Sequence, residues 1–437
     1  MSRKLLLVLV ILSVILGSIS GCFGEPAGSS EQTTPTNTQR NEVAGSDLMA
    51  GIEATPFTGT AAFNEDDVKA IQLFAANLLD QAAQNEGNIM ISPASIFLAL
   101  AMTLNGADTS TRDAMLQTLT DGQLSVDQVN AFSRSWMTYL SQTGSKTKLE
   151  VANSIWFRDG FVPFEPFLEA NAVNYHAAAQ ALDFSSQSAV DTINQWVDDA
   201  TNGLIDKMIE QISPTTVMFL INTIYFKSDW QTPFEKAATS EQVFQSPDGD
   251  QTVPFMQQIT PLSVFTLPNA TGVMLPYDNS QFGYFAILPD PSITPRDWYA
   301  DQDSEQILTT LHQTITEQEP TPIHLALPVY EAEYEDSLID DLDRLGMGIA
   351  FGGSADFSRL NANRSKGLYI SEVKHKTVIR VNEKGTEAAA STSVAIDESA
   401  PGYEKELIFN RPFLYGIIDL QFGLPLFIGI LENPAAD

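Results

Sequence analysis

Glu383-Lys384-Gly385-Thr386-Glu387-Ala388-Ala389-Ala390-Ser391-Thr392-Ser393-Val394-Ala395-Ile396-Asp397-Glu398-Ser399-Ala400-Pro401-Gly402 follows an apolar run that ends at Val381. The stretch is too small and polar to be core. It is also long for a connection inside a compact domain, and such loops are usually functional or disordered. Its side chains alternate. Thr386, Ala388, Ala390, Thr392, Val394 and Ile396 are small or apolar, while Glu387, Ala389, Ser391, Ser393, Ala395 and Asp397 lean polar. A period of two marks a strand with one buried face. Three consecutive alanines also fit a helix weakly, and the composition fits a passive linker. On the strand reading, this is a loop written to join a sheet. Small residues after Gly385 lower the steric barrier to threading between strands, and Gly385 is free of side-chain limits on backbone angles where a hinge would turn.

The flanking sequence supplies such a sheet. Thr377–Val381 upstream and Phe413–Ile418 and Leu426–Leu431 downstream read as strands, as do Phe282–Leu288 and Ile323–Leu327. Val217–Phe226 is nearly continuous in apolar residues, which predicts a central strand covered on both faces. The first half of the chain is helical. Val68, Ile71, Phe74, Ala75 and Leu78 carry helical spacing over 66–83, and Ser95–Met102 is a more buried helix opened by Ser92-Pro93 and closed near Gly106. Further helices are predicted over 126–141 and 186–201. Helices early and strands late give an α+β class with large sheets.

Across 437 residues, 55 acidic against 23 basic side chains give a formal charge of −32, a field that repels nucleic acid and anionic lipid headgroups. The four histidines are His176, His312, His324 and His375. The chain contains no Gly-x-Ser-x-Gly elbow, no His-Glu-x-x-His helix and no glycine-rich phosphate loop, so it is not read as an enzyme. At the start, Arg3 and Lys4 precede the apolar run Leu5–Ile15, which is too short to span a bilayer. Ile19-Ser20-Gly21-Cys22 resembles the lipobox of prokaryotic lipoproteins; an ordinary secretory signal is the alternative. Cys22 is the only cysteine, so no intramolecular disulfide forms. The expected organisation is a lipoprotein signal over 1–22, a Gly/Ser/Thr/Pro-rich tether over 23–62 and a folded domain over 63–437.

Val381-Asn382-Glu383-Lys384-Gly385-Thr386-Glu387-Ala388-Ala389-Ala390-Ser391-Thr392 resembles the hinge of inhibitory serpins, and His375-Lys376 resembles the strand leading into it. Phe409–Tyr415 with Leu426–Pro434 resembles the family's C-terminal signature. Asn88–Ile96 resembles its second helix, and Asn222–Lys227 with Trp230 its central strand. The likeness runs from about Phe63 to the C-terminus.

The resemblance implies one domain with three sheets, about nine helices and an exposed bait loop. Cleavage lets the loop insert as a new strand while the protease is still held as an acyl-enzyme. It also implies a monomer without cofactor that binds serine proteases and touches the membrane only through the anchor on the outer cell surface. Its hinge comprises Glu383, Gly385, Thr386, Glu387, Ala388, Ala389, Ala390, Ser391 and Thr392. Ser92, Pro93, Ser95 and Asn222, with Trp230, fall in the region that controls sheet opening. The family often places a histidine where Ala326 stands, and His324, on the same strand face, is the expected substitute. Spacing from Gly385 puts the cut at Ser399-Ala400, with Glu398-Ser399 the runner-up. Small residues there fit elastase-like or subtilisin-like enzymes. The acidic surface argues against a polyanion cofactor. The rival within the family is a non-inhibitory carrier or folding helper.

Overall fold

Helices form where an apolar stripe meets a cap. In α1 (Glu65–Ala82) the Asn64 side chain accepts from Asp67 N–H while Asp67 reaches back to Asn64 N–H, a capping box. α2 (Pro93–Leu104) starts at Ser92, whose Oγ accepts from Ser95 N–H, with Pro93 at the first helical position. α3 (Thr109–Thr120), α4 (Val126–Leu140), α5 (Glu165–Tyr175), α6 (Gln187–Ala200), α7 (Pro295–Ala300), α8 (Ser304–Glu317) and the short α9 (Ile339–Leu342) complete nine α-helices among the described residues. The computed structural model describes residues 46–52 and 63–435, apart from 145, 279, 303, 318 and 387–404.

The strands are β1 (Ser46–Asp47), β2 (Ile89–Ile91), β3 (Thr147–Arg158), β4 (Ala178–Leu182), β5 (Met218–Asp229), β6 (Ser240–Ser246), β7 (Gly249–Leu267), β8 (Ala270–Pro276), β9 (Phe282–Pro289), β10 (Thr321–Pro328), β11 (Tyr330–Ser337), β12 (Lys374–Val381), β13 (Gly385–Thr386), β14 (Lys405–Ile408), β15 (Phe413–Asp419) and β16 (Pro425–Leu431). One sheet has the order β1-β4-β3-β5-β13-β12-β11. The expected second and third sheets share a strand. β7 pairs with β6 up to Phe255, with β10 from Phe255 to Leu262, and with β8 from Ser263 onward. Pro254 and Pro261 lie just before these changes of partner, where a missing N–H is tolerated. β8, β9, β15, β16 and β2 then continue one way, and β10 and β14 the other.

α2 lies in the core against β5 and β16, which explains why eleven of its twelve residues are buried. α6 covers the opposite face of the first sheet, where Trp196 meets Trp156 edge-on at 6.1 Å. Phe63 packs against Phe132, Tyr139 and Phe422 at the start of the helical layer. Residues 46–52 fall inside the stretch read as a tether, yet they belong to the fold. Ser46 and Asp47 extend the first sheet along β4, and Leu48, Met49 and Ile52 pack against the core. Three apolar residues behind a two-residue strand are too few to show a period in the sequence.

Candidate functional site

The hinge residues Gly385 and Thr386 already sit in the first sheet. Gly385 is opposite Asp229 and Thr386 opposite Ser228 on β5, while Thr386 faces Val381 on β12. The glycine is required by close approach, not by backbone angle as the sequence reading has it: a Cβ there would lie 2.0 Å from the Ser228 carbonyl oxygen. Thr386 is 2% exposed, its hydroxyl 2.5 Å from the Tyr277 hydroxyl beneath the sheet. Burial pushes the Tyr277 hydroxyl well above its ordinary pKa, so it stays neutral. Trp230 stacks on Tyr277 at 4.8 Å; its Nε1 donates to the Asn382 carbonyl at 2.8 Å and its backbone N–H to the Lys384 carbonyl at 2.8 Å. Glu383 accepts from Thr239 Oγ1 at 2.8 Å. The turn from β12 into β13 is therefore held on each side.

Below Thr386 no described strand separates β5 from β12. Met218, Leu220 and Ile224, on the inner face of β5, are only half-buried, which is unusual for apolar side chains in the centre of a sheet. Three cavities run down this gap. The largest, about 180 Å³, is bounded by Met218, Leu220 and Asn222 on one side and by Ile370 and Val373 on the other. Among the described residues this leaves a slot between β5 and β12 whose upper end is filled by β13. Cross-strand ion pairs Arg380–Glu331, Lys376–Glu333 and Lys374–Glu335 tie β12 to β11, so these two strands form one unit beside the slot.

Polar contacts close the middle of the slot. Ser92 Oγ donates to the Leu426 carbonyl at 2.7 Å and Ser95 Oγ to the Asn222 carbonyl at 3.3 Å. Asn222 Nδ2 donates to Asn153 Oδ1 at 2.7 Å, and Asn153 passes the chain on to the Tyr175 carbonyl at 2.8 Å. The histidine here is His375, not His324. Ser92 N–H donates to His375 Nε2 at 3.1 Å, and burial pushes the imidazole down to about 4, so it is neutral. His324 lies on β10 in the other array, where Nδ1 meets Glu406 on the neighbouring β14 at 2.8 Å. Strand parity within β10 places it correctly relative to Ala326, but that strand does not line the slot.

The structure thus brings together Ser92, Pro93, Ser95, Asn222, Trp230, Glu383, Gly385 and Thr386 along one seam. It adds Asn153, Tyr277, His375 and Asn382. His375 and Asn382 lie in segments already quoted for the resemblance, and Asn153 had a signal of its own: an asparagine inside Val151-Ala152-Asn153-Ser154-Ile155-Trp156 needs a buried partner. Glu387, Ala388, Ala389, Ala390, Ser391, Thr392, Glu398, Ser399 and Ala400 lie outside the described residues, as does Cys22.

Residues 69–434 match the family described as "Serpin (serine protease inhibitor)". The chain is 31% identical over 440 residues to an uncharacterized serpin-like protein of Thermococcus kodakarensis, covering 99% of each. It is also 31% identical to a leukocyte elastase inhibitor of Xenopus tropicalis, over 83% of this chain and 97% of that one. Among solved structures, the thermophilic serpin tengpin in its native state superposes with a TM-score of 0.82 at 36% identity, covering 89% of this chain and 99% of its own. The same protein in its latent state gives a TM-score of 0.75 at 33% identity, covering 86% and 100%. With a slotted sheet, a hinge seated at its head and a family match running from α1 to the C-terminal strand, this chain belongs to the serpin family.

Proposed function

We propose that this protein inhibits serine-type proteases by offering residues 387–404 as bait and drawing the cut loop into the slot. The observation that carries this reading is the slot itself, filled at its head by Gly385 and Thr386 and, below them, by no strand among the described residues. Continuing the observed register sets Ala388 opposite Phe226, Ala390 opposite Ile224, Thr392 opposite Asn222, Val394 opposite Leu220 and Ile396 opposite Met218. These are the inward positions of the alternating segment, and the apolar ones arrive at the largest cavity. Loop insertion of this kind is established behaviour of serpins. The eleven residues Glu387–Asp397 add roughly 36 Å of strand at ~3.3 Å each. If each new backbone bond nets about 0.5–1.5 kcal/mol, insertion releases roughly 5–17 kcal/mol before side-chain burial.

The protease serine attacks the Ser399 carbonyl. The bond to Ala400 breaks, the serine proton passes to the departing Ala400 amine, and Ser399 is left as an ester on the enzyme. Insertion carries that ester away before water reaches it. Small residues at the cut fit elastase-like or subtilisin-like pockets, and the identity to a leukocyte elastase inhibitor supports the same class. Family members are mostly inhibitors rather than enzymes. In this reading Cys22 carries a lipid, and the anchor holds the domain at the outer face of the membrane, working as a monomer without cofactor.

The test is to mix the full chain with elastase, subtilisin and a glutamate-specific protease and to run a denaturing gel with mass analysis. We expect a covalent adduct with elastase or subtilisin and a released C-terminal peptide that starts at Ala400. A peptide that starts at Ser399, released with the glutamate-specific enzyme, would move the bond by one residue. Cleavage by all three enzymes without any adduct would leave the non-inhibitory reading in possession.

A further inference from the structure

The register of the first sheet fixes the end at which the chain joins the domain. Ser46 is opposite Ala181 on β4, Ala181 opposite Phe157 on β3, and Phe157 opposite Met218 on β5. These four residues form one row across the sheet. At the other end of the same strands Thr147 is opposite Ser228, and Ser228 is opposite Thr386 of the hinge. Ser228 and Met218 are ten residues apart on β5, so the row of Ser46 lies roughly 33 Å below the hinge at ~3.3 Å per residue. β4 runs parallel to β3, away from the hinge, and β1 runs antiparallel to β4. β1 therefore enters the sheet from the end farthest from the hinge.

Continuing the register of β13 brings an inserted Ile396 into this same row, opposite Met218, with Ser399 three residues beyond it. Four strand spacings of ~4.8 Å separate it from Ser46, about 19 Å in all. The ester on Ser399 thus arrives at the end of the domain where residues 23–45 attach. The room it needs there can be sized. A protease of about 230 residues has a radius of gyration near 17 Å, which for a compact sphere is a diameter of about 45 Å. Ser46 is 24 positions after Cys22, a covalent reach of at most about 85 Å.

We propose that residues 23–45 are a spacer whose length makes room for the captured protease between the domain and the bilayer. This rests on the insertion and anchor readings above. On an anchored chain the bait loop starts at the end away from the anchor, and the enzyme finishes beside it. A reach shorter than the enzyme's diameter would set the bilayer in its path and oppose the last part of insertion, without touching the loop or the slot.

The experiment couples the full chain through Cys22, its single cysteine, to phosphatidylcholine vesicles that carry a maleimide lipid. Covalent adduct with elastase or subtilisin is compared on vesicles and in solution. The variant lacks residues 24–41, which leaves six positions and a reach of about 20 Å. We expect the wild type to trap equally in both settings. The shortened chain is expected to trap equally in solution but about tenfold less on vesicles, the effect of ~1.4 kcal/mol on a barrier. Equal trapping by the shortened chain on vesicles, or loss of trapping by the wild type there, would overturn the spacer. If the shortened chain does not fold, energy transfer from a dye-labelled protease to an acceptor lipid decides on the wild type alone. Transfer is expected to be higher for the trapped enzyme than for one whose catalytic serine is replaced by alanine and which docks on the uncut loop; equal or lower transfer would overturn the proposal. Absence of adduct in solution would overturn the insertion reading. A Cys22 without lipid on the chain isolated from the cells that make it would overturn the anchor reading, and the spacer falls with either.

Discussion

Thr386→Arg is expected to abolish trapping while leaving the loop cleavable. Thr386 is 2% exposed and faces Tyr277 beneath the sheet, walled by the aromatic stack of Trp230 on Tyr277. Among the described residues the Thr386 side chain meets the Tyr277 hydroxyl and no carboxylate. Moving an unpaired charge into such a site costs several kcal/mol, enough to keep β13 out of the sheet before and after the cut. Insertion then competes poorly with hydrolysis of the ester, and the enzyme leaves. On a denaturing gel with a reactive protease, the covalent adduct is expected to fall at least about tenfold, the consequence of ~1.4 kcal/mol or more on the insertion barrier. The cut chain accumulates instead. Thr386→Ser keeps the hydroxyl that meets Tyr277 and is expected to trap nearly as well as the wild type. Undiminished adduct with Thr386→Arg would refute this account of the hinge.

The second large effect is on pH. His375 is buried at the middle of the slot, and burial holds its pKa at about 4 against an ordinary 6.5, with Asp336 pulling weakly the other way. The folded imidazole therefore binds fewer protons than the unfolded one between these values. Its stabilising contribution is fully present above about pH 6.5 and is lost as the pH falls towards 4. At ~1.4 kcal/mol per pKa unit the loss amounts to about 3 kcal/mol. Protonation also removes the lone pair that accepts from Ser92 N–H, so the start of α2 loses its partner under the slot. Carboxylates titrate in the same range, so the informative quantity is a difference. Urea midpoints measured from pH 4 to 7.5 are expected to fall more steeply for the wild type than for His375→Asn, which carries no titratable group there. Parallel curves would show that His375 does not titrate as a buried neutral group.

Much of this architecture was legible in the sequence because its segments are strongly periodic. α1, α2, α4 and α6 and the strands β5, β9, β10, β12, β15 and β16 fall within a few residues of the runs that announce them. β7 was not legible, because Pro254, Pro261 and its many polar residues interrupt the pattern of a strand that changes partners twice. The docking of residues 46–52 was hidden by their shortness. At the site, Ser92, Ser95, Asn222, Trp230, Gly385 and Thr386 were named from segments that resemble the family's, and the structure sets them along one seam. Tyr277 was not, since its contact is created by topology: it reaches Thr386 across 109 positions of chain. His324 misled for the converse reason: parity is a local property, and it says nothing about which sheet a strand joins.

Once cut, the segment after Thr386 is expected to become an interior strand. The direct measurement is thermal unfolding of the full chain before and after a single nick within 387–404. A nicked chain that melts well above the intact one, with its two fragments still associated, is the expected result. A nicked chain that melts at or below the intact one, or falls apart into its fragments, would contradict it.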